Sequence, residues 1–216
     1  MDESLPGGAI LGADGLLRCP WGASPDYLTY HDEEWGRPLR GDDALFERLC
    51  LEAFQSGLSW LTILRKRPAF RAAFADFSIT HVARFSDADV QRLLADAGIV
   101  RNRAKINAAI ANARVADRLD GGLSDLIWSF APPPGPAPHR VGDVPAVTPE
   151  SAAMAKALKK AGFVFVGPTT CYALMQACGL VDDHLADCHT RRAPTAGPAT
   201  AASATSATAT TTNVSR

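Results

Sequence analysis

Between Asp42 and Gly179 the chain is punctuated at short intervals by residues that start and stop helices, and almost nothing between these marks alternates as a strand would. Asp42 and Asp43 open a helix that runs to a break at Gly57; Ser59 restarts it, and Pro68 offers a further start. Ser86 with Asp89 makes a capping-box pattern for a helix that stops at Gly98. From Asn102 to Leu119 apolar residues recur at helical spacing (Ile106, Ala109, Ile110, Ala113, Val115) until Gly121 and Gly122 end the run. A short helix follows over Asp125 to Phe130, and PPPGPAPHRVGDVP is a connector too rigid and donor-poor for a core helix. Thr148-Pro149-Glu150 opens another helix that closes at Gly162, and Gly167-Pro168 opens a last one that closes at Gly179. The pattern predicts an all-α architecture without internal repeats.

With 216 residues, 47% hydrophobic and 21% charged, the chain can build one good-sized core or two small lobes sharing one. The folded domain is expected over residues 18–192. Residues 1–17 are Gly-rich and read as a flexible extension, and residues 193–216 form an Ala/Thr/Ser tract that reads as a disordered tail. No run has the apolar length of a membrane span, and the N-terminus lacks a secretory signal's basic start and apolar core. No membrane partner and a cytoplasmic location are therefore expected. Five cysteines at irregular spacing argue against a disulfide framework. A net charge of −1 gives no global basic field, so a nucleic-acid partner would need a local patch.

Four features carry chemistry. In LCLEAFQSGLSW, Glu52 falls three residues after Leu49 and seven after Leu45, inside the apolar stripe, whereas Glu47 and Arg48 fall off it. Glu52 is either an edge residue whose head group reaches water or a carboxylate with a use. Cys19 and His31 near the start, with His184 and Cys188 near the end, are either unrelated or a closed Cys2His2 set for a structural zinc clasping the two termini. Cys50, Cys171 and Cys178 sit in helical apolar runs and read as small buried hydrophobes, and His81 and His139 as solvated.

GFVFVG between Gly162 and Gly167 is either a plain αα-hairpin or a helix-hairpin-helix element. In the second case hairpin N–H groups and the next helix N-terminus face a DNA phosphate, with Lys159 and Lys160 just upstream. Arg101, Arg103 and Lys105 form a second basic spot. Finally, Trp21, Tyr27, Tyr30 and Trp35 crowd around Cys19 and His31, with Trp60 closing the Glu52 stretch. These rings either pack around the clasp or form a pocket that stacks on a planar base.

Together these residues resemble the type I 3-methyladenine DNA glycosylases of bacteria, a branch of the helix-hairpin-helix DNA glycosylases. From about Arg18 to Cys188 the motifs C-x-W, YLTYHDEEWG, LCLEAFQSGLSWLTILRKR, DAGIVRNRAKI, GFVFVGPTTCYALMQACGLVDDH and H-x-x-x-C appear in order. The resemblance implies a two-lobed helical fold with a DNA-binding cleft. It implies a structural Zn2+ on Cys19, His31, His184 and Cys188, and a base pocket of Glu52, Tyr30, Tyr27, Trp60, Trp21 and Trp35. The implied activity is hydrolysis of the N-glycosidic bond of 3-methyladenine in double-stranded DNA, by a monomer and without strand cleavage, since no lysine is placed for a Schiff base. Trp60 would stack on the base, and Glu52, ionised and expected as the catalytic residue, would hold its edge with Tyr30. Of the VDDH aspartates, Asp182 and Asp183, a supporting role beside His184 is expected. A non-catalytic DNA-binding or damage-sensing module is the alternative.

Overall fold

The computed structural model describes residues 7–192, so the first six residues of the expected extension and the whole expected tail lie outside the described residues. The regular structure of the described residues is almost entirely helical: α1 (Leu28–Glu33), α2 (Asp42–Gln55), α3 (Trp60–Ala73), α4 (Ile79–Val82), α5 (Asp87–Ala95), α6 (Arg103–Ala116), α7 (Gly122–Trp128), α8 (Pro149–Ala161) and α9 (Pro168–Ala177). A two-stranded antiparallel ribbon pairs β1 (Ile10–Leu11) with β2 (Leu17–Arg18), placing Ile10 opposite Arg18. Strands of two residues are too short to leave an alternating signal. The second half of the expected loose extension is thus paired. Arg18, buried, bonds Asp14 beside the ribbon and Asp32 on α1.

The start signals hold where a side chain caps a backbone N–H. Ser59 accepts from the Thr62 amide at 3.2 Å and Asn102 from Lys105 at 3.1 Å, and Thr148 accepts from Ser151 at 3.2 Å. Two boundaries differ. Pro68 starts no helix but lies inside α3. The helix expected from Asp125 begins at Gly122, because the carboxylate of Asp42 accepts from the Ser124 amide at 2.7 Å and caps α7 from across the fold. Among the described residues no helix is long and apolar enough to cross a membrane.

Helix α2 is the centre of the molecule. It packs against α3, α4, α6, α7 and α9, and every residue from Leu45 to Phe54 is buried. A helix enclosed on all sides has no solvent face, which corrects the expectation for Glu47 and Arg48. Both are inside because distant chain segments supply partners: Arg71 Nε donates to Glu47 at 2.9 Å, and Arg48 donates to Glu34. Lys105 is likewise withdrawn from the expected basic surface. Its buried ammonium donates to the Phe54 carbonyl at 2.9 Å and to that of Ser56, holding the last turn of α2.

The Pro-rich connector is held at both ends of the fold. The Val141 amide donates to the Gly7 carbonyl at 2.9 Å, and the Ala186 amide donates to that of Pro138 at 2.8 Å. Helices α8 and α9 form the expected hairpin pair. Gly162 ends α8 with φ +105, a conformation that side chains disfavour. Of the FVFV turn, Phe163 and Val166 are buried in the core, while Val164 and Phe165 are 43% and 44% exposed. Asn112 on α6 grips this turn from both sides of one residue: its Nδ2 donates to the Val164 carbonyl at 3.0 Å and its Oδ1 accepts the Val164 amide at 2.8 Å.

Candidate functional site: an aromatic pocket beside a cysteine–histidine cluster

The N-terminal segment, the end of α2, the start of α3, the connector and α9 meet around a cavity of about 370 Å3. Its walls include all six residues expected to form a base pocket: Trp21, Tyr27, Tyr30, Trp35, Glu52 and Trp60. Trp21 is the hub of the rings, edge-on to Tyr27 at 5.8 Å and to Trp35 at 4.9 Å between centres. Tyr30 leans against Trp60 at 5.3 Å. Val141 and Val144 of the connector complete a largely apolar enclosure.

Glu52 is the acidic group on the α2 wall of this enclosure, and it is 7% exposed. Burial pushes its carboxyl up to about 8, against the pull of the Arg48 guanidinium one turn earlier. At neutral pH the carboxyl of the free protein is therefore mostly protonated, and a cation entering the pocket would favour its ionisation. The Tyr30 hydroxyl is also pushed up by burial and stays neutral.

Gln55, Gln176 and Asp183 also line the cavity, and sequence reasoning did not single them out as pocket residues. The two expected partners of His184 divide. Asp182 bonds His184 Nδ1 at 2.8 Å, whereas Asp183 accepts from Tyr172 Oη at 2.7 Å and Gln176 Nε2 at 2.8 Å, on the pocket side.

Behind the rings, Cys19, His31 and Cys188 form a buried group whose ligand atoms all lie within 4.8 Å of one another. The His184 ring stands next to it, 5.1 Å from that of His31, though its nitrogen is not within the three-residue group. Both imidazoles are oriented alike. Nδ1 of His31 meets Asp32 at 2.7 Å and Nδ1 of His184 meets Asp182 at 2.8 Å; a carboxylate only accepts, so each Nδ1 donates there and Nε2 is the nitrogen left for a further ligand. Burial opposes ionisation of Asp32 and Asp182, but these hydrogen bonds, with Arg18 on Asp32, hold both carboxyls below their ordinary range.

The buried Nε2 of His184 has no hydrogen-bond partner among the described residues, as a ligand atom awaiting an ion would not. The hydrogen bond from Cys19 holds the Cys188 thiol well below its usual range while Cys19 itself is pushed up, so Cys188 is the readier thiolate of the pair. The Leu185 amide donates to Cys19 Sγ at 3.4 Å. Gly36 lets the chain pass close to His184: a Cβ there would lie 2.6 Å from its Cε1. This donor set fits a metal ion. The rings of the pocket rest directly on it, Trp21 5.0 Å from His31 and Trp35 4.7 Å from His184.

The expected phosphate-binding residues lie apart from the pocket. Lys159, Lys160, Arg101 and Arg103 are exposed and make no ion pair among the described residues, Gly162 ends α8, and Gly167 precedes α9. The grip of Asn112 joins the α6 helix that begins at Arg103 to the hairpin that follows Lys159 and Lys160.

A helical fold built on a helix-hairpin-helix element, with exposed cations at the hairpin and a buried carboxyl in an aromatic cavity, defines the class of the helix-hairpin-helix DNA glycosylases. Within it the chain belongs to the methyladenine glycosylase family, whose model matches residues 21–192. It is 46% identical over 178 residues to a DNA-3-methyladenine glycosylase of Haemophilus influenzae, covering 79% of this chain and 96% of that protein. It is also 46% identical over 179 residues to DNA-3-methyladenine glycosylase 1 of Escherichia coli, covering 80% and 96%. Its fold matches a tyrosine variant of 3-methyladenine DNA glycosylase I in complex with 3-methyladenine, with a TM-score of 0.78 at 36% identity, over 82% of this chain and 99% of that one.

Proposed function

We propose that this protein is a monomeric, monofunctional base-excision repair enzyme of the cytoplasm that hydrolyses the N-glycosidic bond of 3-methyladenine in double-stranded DNA, releasing the base and leaving an abasic site. The observation that carries this reading is the buried Glu52 carboxyl in an aromatic cavity of about 370 Å3. Phosphate binding alone needs neither.

Lys159, Lys160, Arg101 and Arg103, with the backbone at Gly162 and Gly167, hold the duplex without reading its sequence. The lesion is rotated out of the stack at a cost of a few kcal/mol and enters the ring-lined cavity, where Trp60 stacks on it and Tyr30 and Glu52 meet its edge. Methylation at N3 leaves the base cationic and a good leaving group, so little acid catalysis is needed and selection is the harder task.

The electrostatics of Glu52 serve selection. A cationic base draws the carboxyl from its protonated state into an ion pair in a dry site, where opposite charges interact strongly; neutral adenine does not. The ionised Glu52 expected from sequence is thus a product of lesion binding rather than the resting state. Once ionised, the carboxylate also stabilises the developing sugar cation, which gives Glu52 a catalytic part.

The cluster of Cys19, His31 and Cys188, completed by Nε2 of His184, would hold Zn2+ as a closed four-ligand structural site. A bound zinc there ties the N-terminal segment to the C-terminal one and supports the pocket rings, and takes no part in bond cleavage.

The test is to incubate the purified protein with methylated duplex DNA and identify the bases set free. Release of 3-methyladenine without 7-methylguanine, leaving unbroken strands, is expected. Absence of any free base would favour the non-catalytic module, and strands nicked without added base or nuclease would contradict the monofunctional assignment.

A further inference from the structure

Arg48 is a buried charge that the reading above leaves without a task. It lies on α2 one turn before Glu52 and is 7% exposed. Its Nη2 donates to Oε2 of Glu34, which also accepts from Arg67, Nη1 at 2.6 Å to the same oxygen and Nη2 at 2.7 Å to Oε1. The guanidinium carbon stands 5.5 Å from the centre of the Tyr30 ring. Nη1 of Arg48 is buried without a hydrogen-bond partner among the described residues.

Two guanidinium groups on one carboxylate leave an excess positive charge behind the pocket wall. The titratable groups that face Glu52 are Arg48 on its own helix, Tyr30 on α1 and Cys178 after α9, with Asp183 across the cavity. Tyr30 and Cys178 are kept neutral by burial, both being pushed up. The group able to balance Arg48 is therefore Glu52 itself.

We propose that Arg48 is a positioning residue for lesion selection: its free Nη1–H and its charge hold the Glu52 carboxylate from behind the pocket wall while its face supports the Tyr30 ring. With a cationic base bound, the charges then alternate along a line into the protein, base, Glu52, Arg48, Glu34 and Arg67. Each buried charge faces an opposite one, so the ion pair at the base is made without leaving a charge alone in the interior. A neutral base leaves Glu52 protonated and Arg48 under-neutralised, and it gains none of this. The proposal rests on Glu52 and Tyr30 meeting the base, as argued above.

The test is the pH profile of single-turnover excision from methylated duplex DNA for the wild type, Arg48→Met and Arg48→Lys. Removing the charge makes ionisation of Glu52 harder, so Arg48→Met should shift the midpoint of the profile upward by about one pH unit or more, with about a tenfold loss at neutral pH that alkaline buffer largely restores. Arg48→Lys keeps the charge and should stay nearer the wild-type midpoint. An Arg48→Met profile uniformly lowered with an unmoved midpoint would overturn the proposal, whatever the loss in rate. Where Arg48→Met folds poorly, infrared difference titration of the Glu52 carboxyl in Arg48→Gln, with Glu52→Gln as the blank, gives the same midpoint without turnover; an unmoved carboxyl titration overturns the proposal equally. A wild type that releases no 3-methyladenine would instead defeat the underlying reading, and the two failures are distinct.

Discussion

Glu52 is where position, burial and charge meet. The free carboxyl is held up to about 8 by burial, against an ordinary 4.5 in the unfolded chain. Between these values the unfolded chain has lost its proton and the folded chain has kept it, so the contribution of this group to stability falls as pH rises through that window and is level above it. Glu52→Gln removes the titration. Its stability relative to wild type should be nearly unchanged at pH 4 and should rise to a gain on the order of a few kcal/mol at pH 8, while selective excision of 3-methyladenine is largely lost. Denaturant melts at both pH values measure the first effect; curves that differ by the same amount at each would show that Glu52 is not buried in this way. The place of Glu52 inside the apolar stripe was legible from helical spacing alone. Arg48 was not, because a helical wheel assigns every amphipathic helix an outer face. The residues that enclose Arg48 and Glu47 on α2, Glu34 and Arg71, come from other parts of the chain.

Helix ends were legible wherever the chemistry of the end is local. Ser59, Asn102 and Thr148 accept from amides three residues on, and the glycines that follow α2 and α8 take positive φ. Pro68 and Asp42 mark where this reading ends: tertiary packing carries α3 through a proline, and Asp42 caps α7 rather than only its own helix. The helix-hairpin-helix turn was legible from its glycines, yet the residue that fixes it was not, since Asn112 looks like any polar position on α6. Asn112→Ala would leave the amide and carbonyl of Val164 unpaired, at roughly 1–3 kcal/mol each where they stay buried. The hairpin should loosen against α6 while the pocket, built from other elements, stays intact. Affinity for undamaged duplex should fall and the apparent KM for methylated DNA should rise, with kcat at saturating DNA little changed. Unchanged duplex affinity in a filter-binding titration would separate Asn112 from DNA binding.

At the scale of the whole molecule two apolar clusters of unequal size are found among the described residues. The large one is centred on α2 and includes the helices that carry the hairpin, and the small one joins Cys19, Leu185 and Cys188. Sequence separation hid the link between them: Cys19 and Cys188 can be suspected as ligands from residue type, but only the folded chain brings them together and sets Trp21 and Trp35 against the two histidines. The division predicts how the protein fails when the clasp is opened. Cys188→Ser removes one thiolate ligand, so bound zinc should be lost and melting temperature should fall. The rings resting on His31 and His184 lose their backing, and excision should collapse with the metal. The α6 and α8–α9 unit sits in the larger cluster, and its hold on Val164 owes nothing to the clasp. Affinity for undamaged duplex should therefore survive well beyond excision when both are followed in the same preparation at a temperature below the lowered melting point. Full zinc occupancy in Cys188→Ser by elemental analysis would end the clasp assignment. Loss of duplex binding in step with excision would show instead that the two clusters fold as one cooperative unit, with the termini as necessary to the hairpin as they are to the pocket.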